Sequence, residues 1–178
     1  MYLLPDATVL CNFAAVDELP LLVEYLGHKG RMVEAVDYEV FRSSRHLPAL
    51  LQLDRVSVFG DPITIDADDD VRIVENIRTQ VFGGLRSQPL KHLGESQSIH
   101  VVSTFPQYRG SVWITDDHEA HSYGRGRGIT VRDTVDVACA LVARGERTAT
   151  QMFKVLQDML QAERTLLRNP THHKDLTT

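Results

Sequence analysis

A chain of 178 residues is long enough for one domain with a substantial core and too short for two ordinary ones. Its apolar share of 43%, charged share of 24% and net charge of −5 describe a globular chain whose surface as a whole repels polyanions. Nucleic-acid contact would therefore need a local basic patch, and two cysteines, Cys11 and Cys139, exclude a disulfide scaffold.

No apolar run approaches the roughly 20 residues needed to span a bilayer. The opening MYLLPDATVL meets Pro5 and Asp6 at once and has no basic segment, unlike a signal peptide. The chain reads as cytoplasmic, without a membrane partner.

Tyr2, Leu3 and Leu4 read as a short buried strand cut off by Pro5 and Asp6. ATVLCNFAAV follows with helical character, and then DELPLLVEYL, with Asp17 as N-cap and Leu19, Leu22 and Leu26 on one stripe. Gly27 and Gly30 bracket a turn. RMVEAV is strand-like, and VDYEVFRSSR returns to helical spacing. From 46 to 80 the pattern is thinner: LPALLQL suits a helix, VSVF and ITI suit strands. DDDVRIVENIRTQVF suits a helix whose acidic triplet Asp68 to Asp70 favours the positive end of its dipole.

LGESQSIHVVSTF is helical and SVWIT a strand. DDHEAHSYGRGRG makes a short helix closed by glycines, ITV a further strand, and RDTVDVACALVARG a helix stopped by Gly145. The last helix starts at Thr148 and is expected to run through TATQMFKVLQDMLQAERTLL. A single domain over 1–168 is thus followed by a tail, 169–178, that reads as flexible. Strands alternating with helices imply parallel pairing and an α/β sandwich with helices on both faces. Ligands of such sheets bind outside the carboxyl ends of the strands, so acids just after strands are the informative ones.

Asp6 follows the first strand directly, and Asp116 and Asp117 follow VWIT. Glu39 sits one turn into the helix after RMVEA. Glu95 shares the stripe of Ile99 and Val102, where a carboxylate is costly unless paired or bound to a cation. Each acid alone has an ordinary alternative: Asp6 or Asp116 as a helix cap, Glu39 as an ion-pair partner of Arg42. Together they are expected to converge on one pocket, where their repulsion would be relieved by a hard divalent cation such as Mg²⁺ or Mn²⁺. Such a site activates water and steadies phosphoryl oxygens. Nothing in the His and Cys spacing points to zinc. Spacing leaves Asp116 and Asp117 both open as the final ligand.

Five blocks carry a family likeness. LLPDATVLCNFAAVDELPLL runs from an apolar strand through Asp6 and Thr8 into Val9 and Leu10; VEAVDYEVFRSS carries Glu39 and LGESQSIHVV carries Glu95. VWITDDHEAHSYGRGRGITV ends a strand in an acidic pair before a helix and another strand, and DTVDVACALVARGERT closes the series. In this order, over most of residues 2 to 150, they resemble the PIN-domain family. The resemblance implies a three-layer α/β/α sandwich around a central, mainly parallel sheet. It also implies a Mg²⁺- or Mn²⁺-dependent endoribonuclease, a hydrolase of RNA phosphodiester bonds, with Asp6, Glu39, Glu95 and Asp116, Asp117 or both as metal ligands and catalytic residues. Small members are often VapC-type toxins of toxin–antitoxin modules, silenced by a cognate antitoxin and commonly homodimeric. The chain departs from the pattern at Ala7, Ser98 and Asp133.

His118 and His121 flank Glu119 and read as exposed helix residues ahead of a transition-metal site. YGRGRG lacks the Lys-Ser/Thr of a phosphate loop and follows a helix, so it is no nucleotide loop. Arg125 and Arg127, like Arg42 and Arg45, are candidate contacts to an RNA backbone. Thr8 stands where a dehalogenase-type phosphatase would need a second Asp, which excludes that chemistry. Met152, Val155, Leu156, Met159 and Leu160 form an apolar face that suits core packing, a dimer or an antitoxin surface. The rival to an enzyme is a non-catalytic PIN-like module that binds RNA or a protein partner.

Overall fold

The computed structural model describes residues 1–177. Three strands, β1 (Leu3–Pro5), β2 (Val112–Ile114) and β3 (Thr130–Arg132), form one parallel sheet in the order β1-β2-β3. Leu4 stands opposite Trp113, and Trp113 opposite Val131. Helices dominate the rest: α1 (Ala7–Ala14), α2 (Leu19–Leu26), α3 (Glu34–Ser43), α4 (Arg55–Phe59), α5 (Asp68–Asn76), α6 (Leu93–Thr104), α7 (His118–Gly126), α8 (Thr134–Ala143) and α9 (Ala149–Gln161). The fold is α/β, rich in helix, with a small all-parallel sheet. Among the described residues, no helix is long and apolar enough to cross a membrane.

Every residue of β1 and β2 is buried. Successive strand side chains point to opposite faces, so both faces of these strands are covered. That is why Leu3-Leu4 and Val112-Trp113-Ile114 are continuous apolar runs rather than alternating ones. The core continues through Val9, Leu10 and Phe13 of α1, Leu21 and Leu22 of α2, Ile99 and Val101 of α6 and Val137 and Leu141 of α8. Full burial of each such side chain stabilises the fold by about 1.5–3 kcal/mol before its ordering entropy.

Several expected elements take another form. Residues 31–36 are not a strand: the chain makes single bridges, Leu3 with Gly30 and Val33 with Ile63, and α3 begins at Glu34. Arg31 N donates to Leu3 O at 2.9 Å, while Ile63 N donates to Met32 O at 2.9 Å and Glu34 N to Ile63 O at 3.1 Å. The segment changes partner after two residues, so neither ladder grows. VSVF is helix α4, because Asp54 accepts a bond from Ser57 N at 3.1 Å and sets a cap. ITI supplies only the bridge at Ile63.

Asp17 does not cap α2; it sits at φ +57° and Glu18 precedes the helix without a side-chain cap. The helix expected over 68–82 is α-helical only to Asn76 and closes as a π-turn, Ile77–Val81. That turn carries Arg78 inward, where it pairs with Glu75 at 2.7 Å and donates to the carbonyls of Leu85, Gln88 and Lys91. A buried guanidinium satisfied this way organises the whole following loop.

α9 has Thr148 as its N-cap, in a capping box with Gln151, next to the expected start, but it stops at Gln161. Glu163 turns back with φ +57°. Met152, Val155, Leu156 and Met159 are buried and Leu160 is partly so, so this face packs on the core. In the stretch read as a flexible tail, His173–Leu176 makes one 3₁₀ turn that seats Leu176 in the core; its last residue, 178, lies outside the described residues.

Gly124 of α7 lies against the sheet so closely that a Cβ there would meet Val131 Cγ2 at 2.7 Å and Trp113 Cε3 at 3.2 Å. Glycine in a helix interior ordinarily costs about 1 kcal/mol relative to alanine. Here the sign reverses, because a short β-branched chain and a fully buried indole have nowhere to move. Gly124→Ala is expected to destabilise by about 1–3 kcal/mol in urea unfolding; a stabilised variant would contradict this packing.

Candidate functional site

The carboxyl edge of the sheet brings acids together from four elements. Asp6 leaves β1 with its N–H on Ile114 O at 2.8 Å and is 2% exposed. It stands at the N-cap position of α1 but makes no side-chain cap bond; instead its Oδ2 accepts from Thr8 Oγ1 at 2.7 Å. Burial, then the Glu95 charge, pushes its pKa up to about 7, against the Thr8 and Ala7 bonds, with Asp117 adding to the rise.

Glu39 comes from α3, which packs beside α6. Gly94 in the first turn of α6 permits this approach: a Cβ there would lie 3.1 Å from Val36 Cγ2 and 3.3 Å from Glu39 Oε1. Burial raises Glu39 to about 8, helped by Asp6 and Glu95 and opposed by Arg42 and the Gly94 amide. Arg42 itself lies over the Tyr38 ring, 5.9 Å from its centroid. Glu95 is 16% exposed, as its place on the apolar stripe implies, with His92 Nδ1 3.5 Å away. Its carboxyl is raised by burial and by Asp117.

The acidic pair after β2 divides. Asp117 is the N-cap of α7, accepting from Ala120 N at 2.7 Å, and its charge raises both Asp6 and Glu95. Asp116, 4% exposed, is bonded into the scaffold. Its oxygens accept from Asn12 Nδ2 at 2.8 Å, Thr134 N at 3.1 Å, Leu167 N at 3.3 Å and the Thr134 hydroxyl. Burial raises its pKa most, the bonds from Thr134 and Leu167 lower it, and the Asp133 charge adds a smaller rise. Adjacent side chains on extended backbone point opposite ways, which separates the two roles. Asp6, Glu39, Glu95 and Asp117 thus form the mutually repelling set, and Asp116 stands outside it. Nor is Asp116 a helix cap.

The sequence reading missed Asn12 and the segment after α9. Asn12 is wholly buried, donates also to Thr165 O at 3.0 Å and accepts from Arg164 Nε at 3.1 Å. Arg168 pairs with Asp133 at 2.5 Å and also with Asp136. Asp133, where the family pattern has Gly, is half of the capping box of α8. A polar Asn amid the apolar run of α1 was the available signal; nothing local marks Arg164. Residues 164–168 therefore cross the carboxyl edge of the sheet as a strap.

Two open clefts meet at Glu39. One, of about 400 Å³, is lined by Thr8, Cys11, Arg42, Arg45, His46 and Arg164. The other, of about 500 Å³, is walled by Arg42 and the loop from Gln88 to Lys91. Arg125 and Arg127 line neither; Arg127 bonds the Tyr123 hydroxyl at 2.7 Å beside Ile73 and Ile77. His118 is exposed, and burial lowers the pKa of His121. In the acidic triplet, Asp69 pairs with Arg72 and Asp70 with His100 at 2.9 Å, an ordinary helix start. Among the described residues, no three His, Cys, Asp or Glu side chains close on a common point as a ready metal cage. Family models, curated proteins and solved structures offer no match to the chain.

The two acids of the pair should separate by stability. Asp116→Ala removes a buried acceptor from Asn12, Thr134 and Leu167 and is expected to cost about 3 kcal/mol. Asp117→Asn keeps a cap and should stay within about 0.5 kcal/mol of the parent; similar losses in both variants would overturn the division.

The raised acids also set a pH dependence. Unfolded Asp6 and Glu39 release their protons at 3.8 and 4.5, whereas the folded groups hold them to about 7 and about 8. Between those limits the native state binds more protons than the unfolded one, so metal-free stability falls as pH rises from about 4 to about 8. Asp6→Asn removes part of that penalty. In chelator its gain over the parent should be on the order of 2 kcal/mol at pH 8 and vanish near pH 4.

Proposed function

We propose that this chain is a PIN-like, divalent-metal-dependent ribonuclease that hydrolyses RNA phosphodiester bonds. One observation carries the reading. Asp6, Glu39, Glu95 and Asp117 reach the carboxyl edge of a parallel sheet from four separate elements and raise one another's pKa, and Arg42 offsets the rise of Glu39 only in part. A three-layer α/β/α arrangement, as in the family that the motifs resemble, agrees with a sheet covered on both faces.

The donor set suits Mg²⁺ or Mn²⁺, which are hard cations preferring oxygen. Mg²⁺ commonly takes one or two carboxylates directly and keeps several waters, so it does not require three acids closed on one point. When bound, the cation supplies an acidified water and charge stabilisation at the phosphoryl oxygens. Asp6, held in place by Thr8, Asp117, held by the α7 cap, and Glu39 and Glu95 would be the residues that hold the cation. Arg42, Arg45 and Arg164 would receive phosphates from the cleft. Asp116 is a positioning residue in this scheme, through Asn12 and Thr134. A toxin role, with a cognate antitoxin and a homodimeric form, belongs to the same proposal and rests on the family resemblance.

The second reading, a PIN-like module that binds RNA or a protein without cutting, is favoured by one fact: the acids as placed form no ready cage. Calorimetric titration with Mn²⁺ and an RNA cleavage assay separate the two. Expected are Mn²⁺ binding that releases protons and strengthens from pH 6 to pH 8, cleavage abolished by EDTA, and no cleavage by Asp6→Asn. Thr8→Val should weaken metal affinity or rate by about 10- to 100-fold. Retained cleavage in Asp6→Asn would sink the mechanism, and RNA binding without Mn²⁺ uptake would establish the module.

A further inference from the structure

Tyr38, Phe41 and Arg42 on α3, and Arg45 in the turn that ends it, are spaced by three and four residues and share one exposed stripe. The two rings are half in water, Tyr38 at 47% and Phe41 at 49% exposure. They are interleaved with guanidinium groups: Arg42 over Tyr38, and Arg55, anchored on Asp37, over Phe41 at 6.0 Å. Around the helix Arg42 falls between Tyr38 and Glu39, so the stripe borders the clefts that meet at Glu39. Arg164 lines one of those clefts, held by buried Asn12.

We propose that this stripe is a platform for single-stranded RNA, with bases stacked on Tyr38 and Phe41 and phosphates taken by Arg42, Arg45 and Arg164. Flat apolar faces alternating with cations match a strand whose bases are free to stack and whose backbone is anionic. A duplex hides its base faces and gains only the phosphate contacts. The chain's net charge of −5 gives no general affinity for nucleic acid, so such binding has to come from a local patch. The platform rests on the ribonuclease reading only for where the strand leads, which is to the carboxylates beyond Glu39.

The test is fluorescence anisotropy in EDTA with a fluorescein-labelled RNA of mixed sequence, about 12 nucleotides long, single-stranded or annealed to its complement. The parent should prefer the single strand. Tyr38→Ala with Phe41→Ala should weaken single-strand binding about tenfold or more, leave duplex binding unchanged and leave the melting temperature unmoved. Tyr38→Phe with Phe41→Tyr should restore it. Arg42→Ala with Arg45→Ala should weaken both ligands and shallow the salt dependence by about two phosphates. The proposal is overturned by no single-strand binding in the parent, or by equal losses on single strand and duplex. It is also overturned by aromatic variants that keep RNA affinity but lose self-association, which would make the stripe a protein interface. Because binding is read without metal, absent cleavage leaves the platform standing, and failure of the platform leaves cleavage standing.

Discussion

A carboxylate withdrawn from water must be bonded on its oxygens, protonated, or met by a cation, and the carboxyl edge of this sheet uses that rule in two ways. Asp116 is satisfied from within: Asn12, Thr134 and the amide of Leu167 bond it, tying the end of β2 to α1, α8 and the strap after α9. Asp6 is equally buried and accepts one hydroxyl bond from Thr8, while neighbouring acids raise it further. The first arrangement completes the scaffold. The second leaves crowded carboxyls that hold their protons up to about neutral pH.

The rest of the architecture serves that contrast. α6 comes close to α3 because Gly94 has no side chain, and this sets Glu39 and Glu95 near Asp6. On the far side of Glu39, the loop that walls the larger cleft is organised by Arg78, whose guanidinium replaces the backbone donors a regular element would have supplied to Leu85, Gln88 and Lys91. Gly84 packs where a Cβ would strike the Arg78 carbonyl at 2.9 Å, so the loop can close only with glycine there. The strap brings Arg164 into the other cleft. Arg42, Arg45, Arg164 and Lys91 thus line the clefts that meet at Glu39, on the border of the acidic cluster.

Much of the frame was legible before any coordinates. Buried parallel strands announced themselves as unbroken apolar runs at Leu3, Leu4 and Val112 to Ile114, and Glu95 betrayed its setting by sharing a stripe with Ile99 and Val102. Thr148 marked the start of α9, where the structure shows it capping the helix in a box with Gln151. Local reasoning failed where a partner chosen elsewhere decides the outcome. RMVEAV has strand composition, but its neighbours change after two residues. VSVF has strand composition too, and Asp54 turns it into a helix.

By itself the sequence determined the α/β alternation, the burial of the strands and the acids that follow β1 and β2, because these depend on periodicity and on residues adjacent in the chain. Only the tertiary structure decided which of Asp116 and Asp117 joins the acidic set. That choice depends on donors as distant as Asn12 and Leu167, and no spacing within VWITDDHEAH encodes them. The strap was invisible for the same reason. Arg164 and Arg168 look like ordinary charges at the end of a helix until the chain turns at Glu163 and lays them against Asn12 and Asp133.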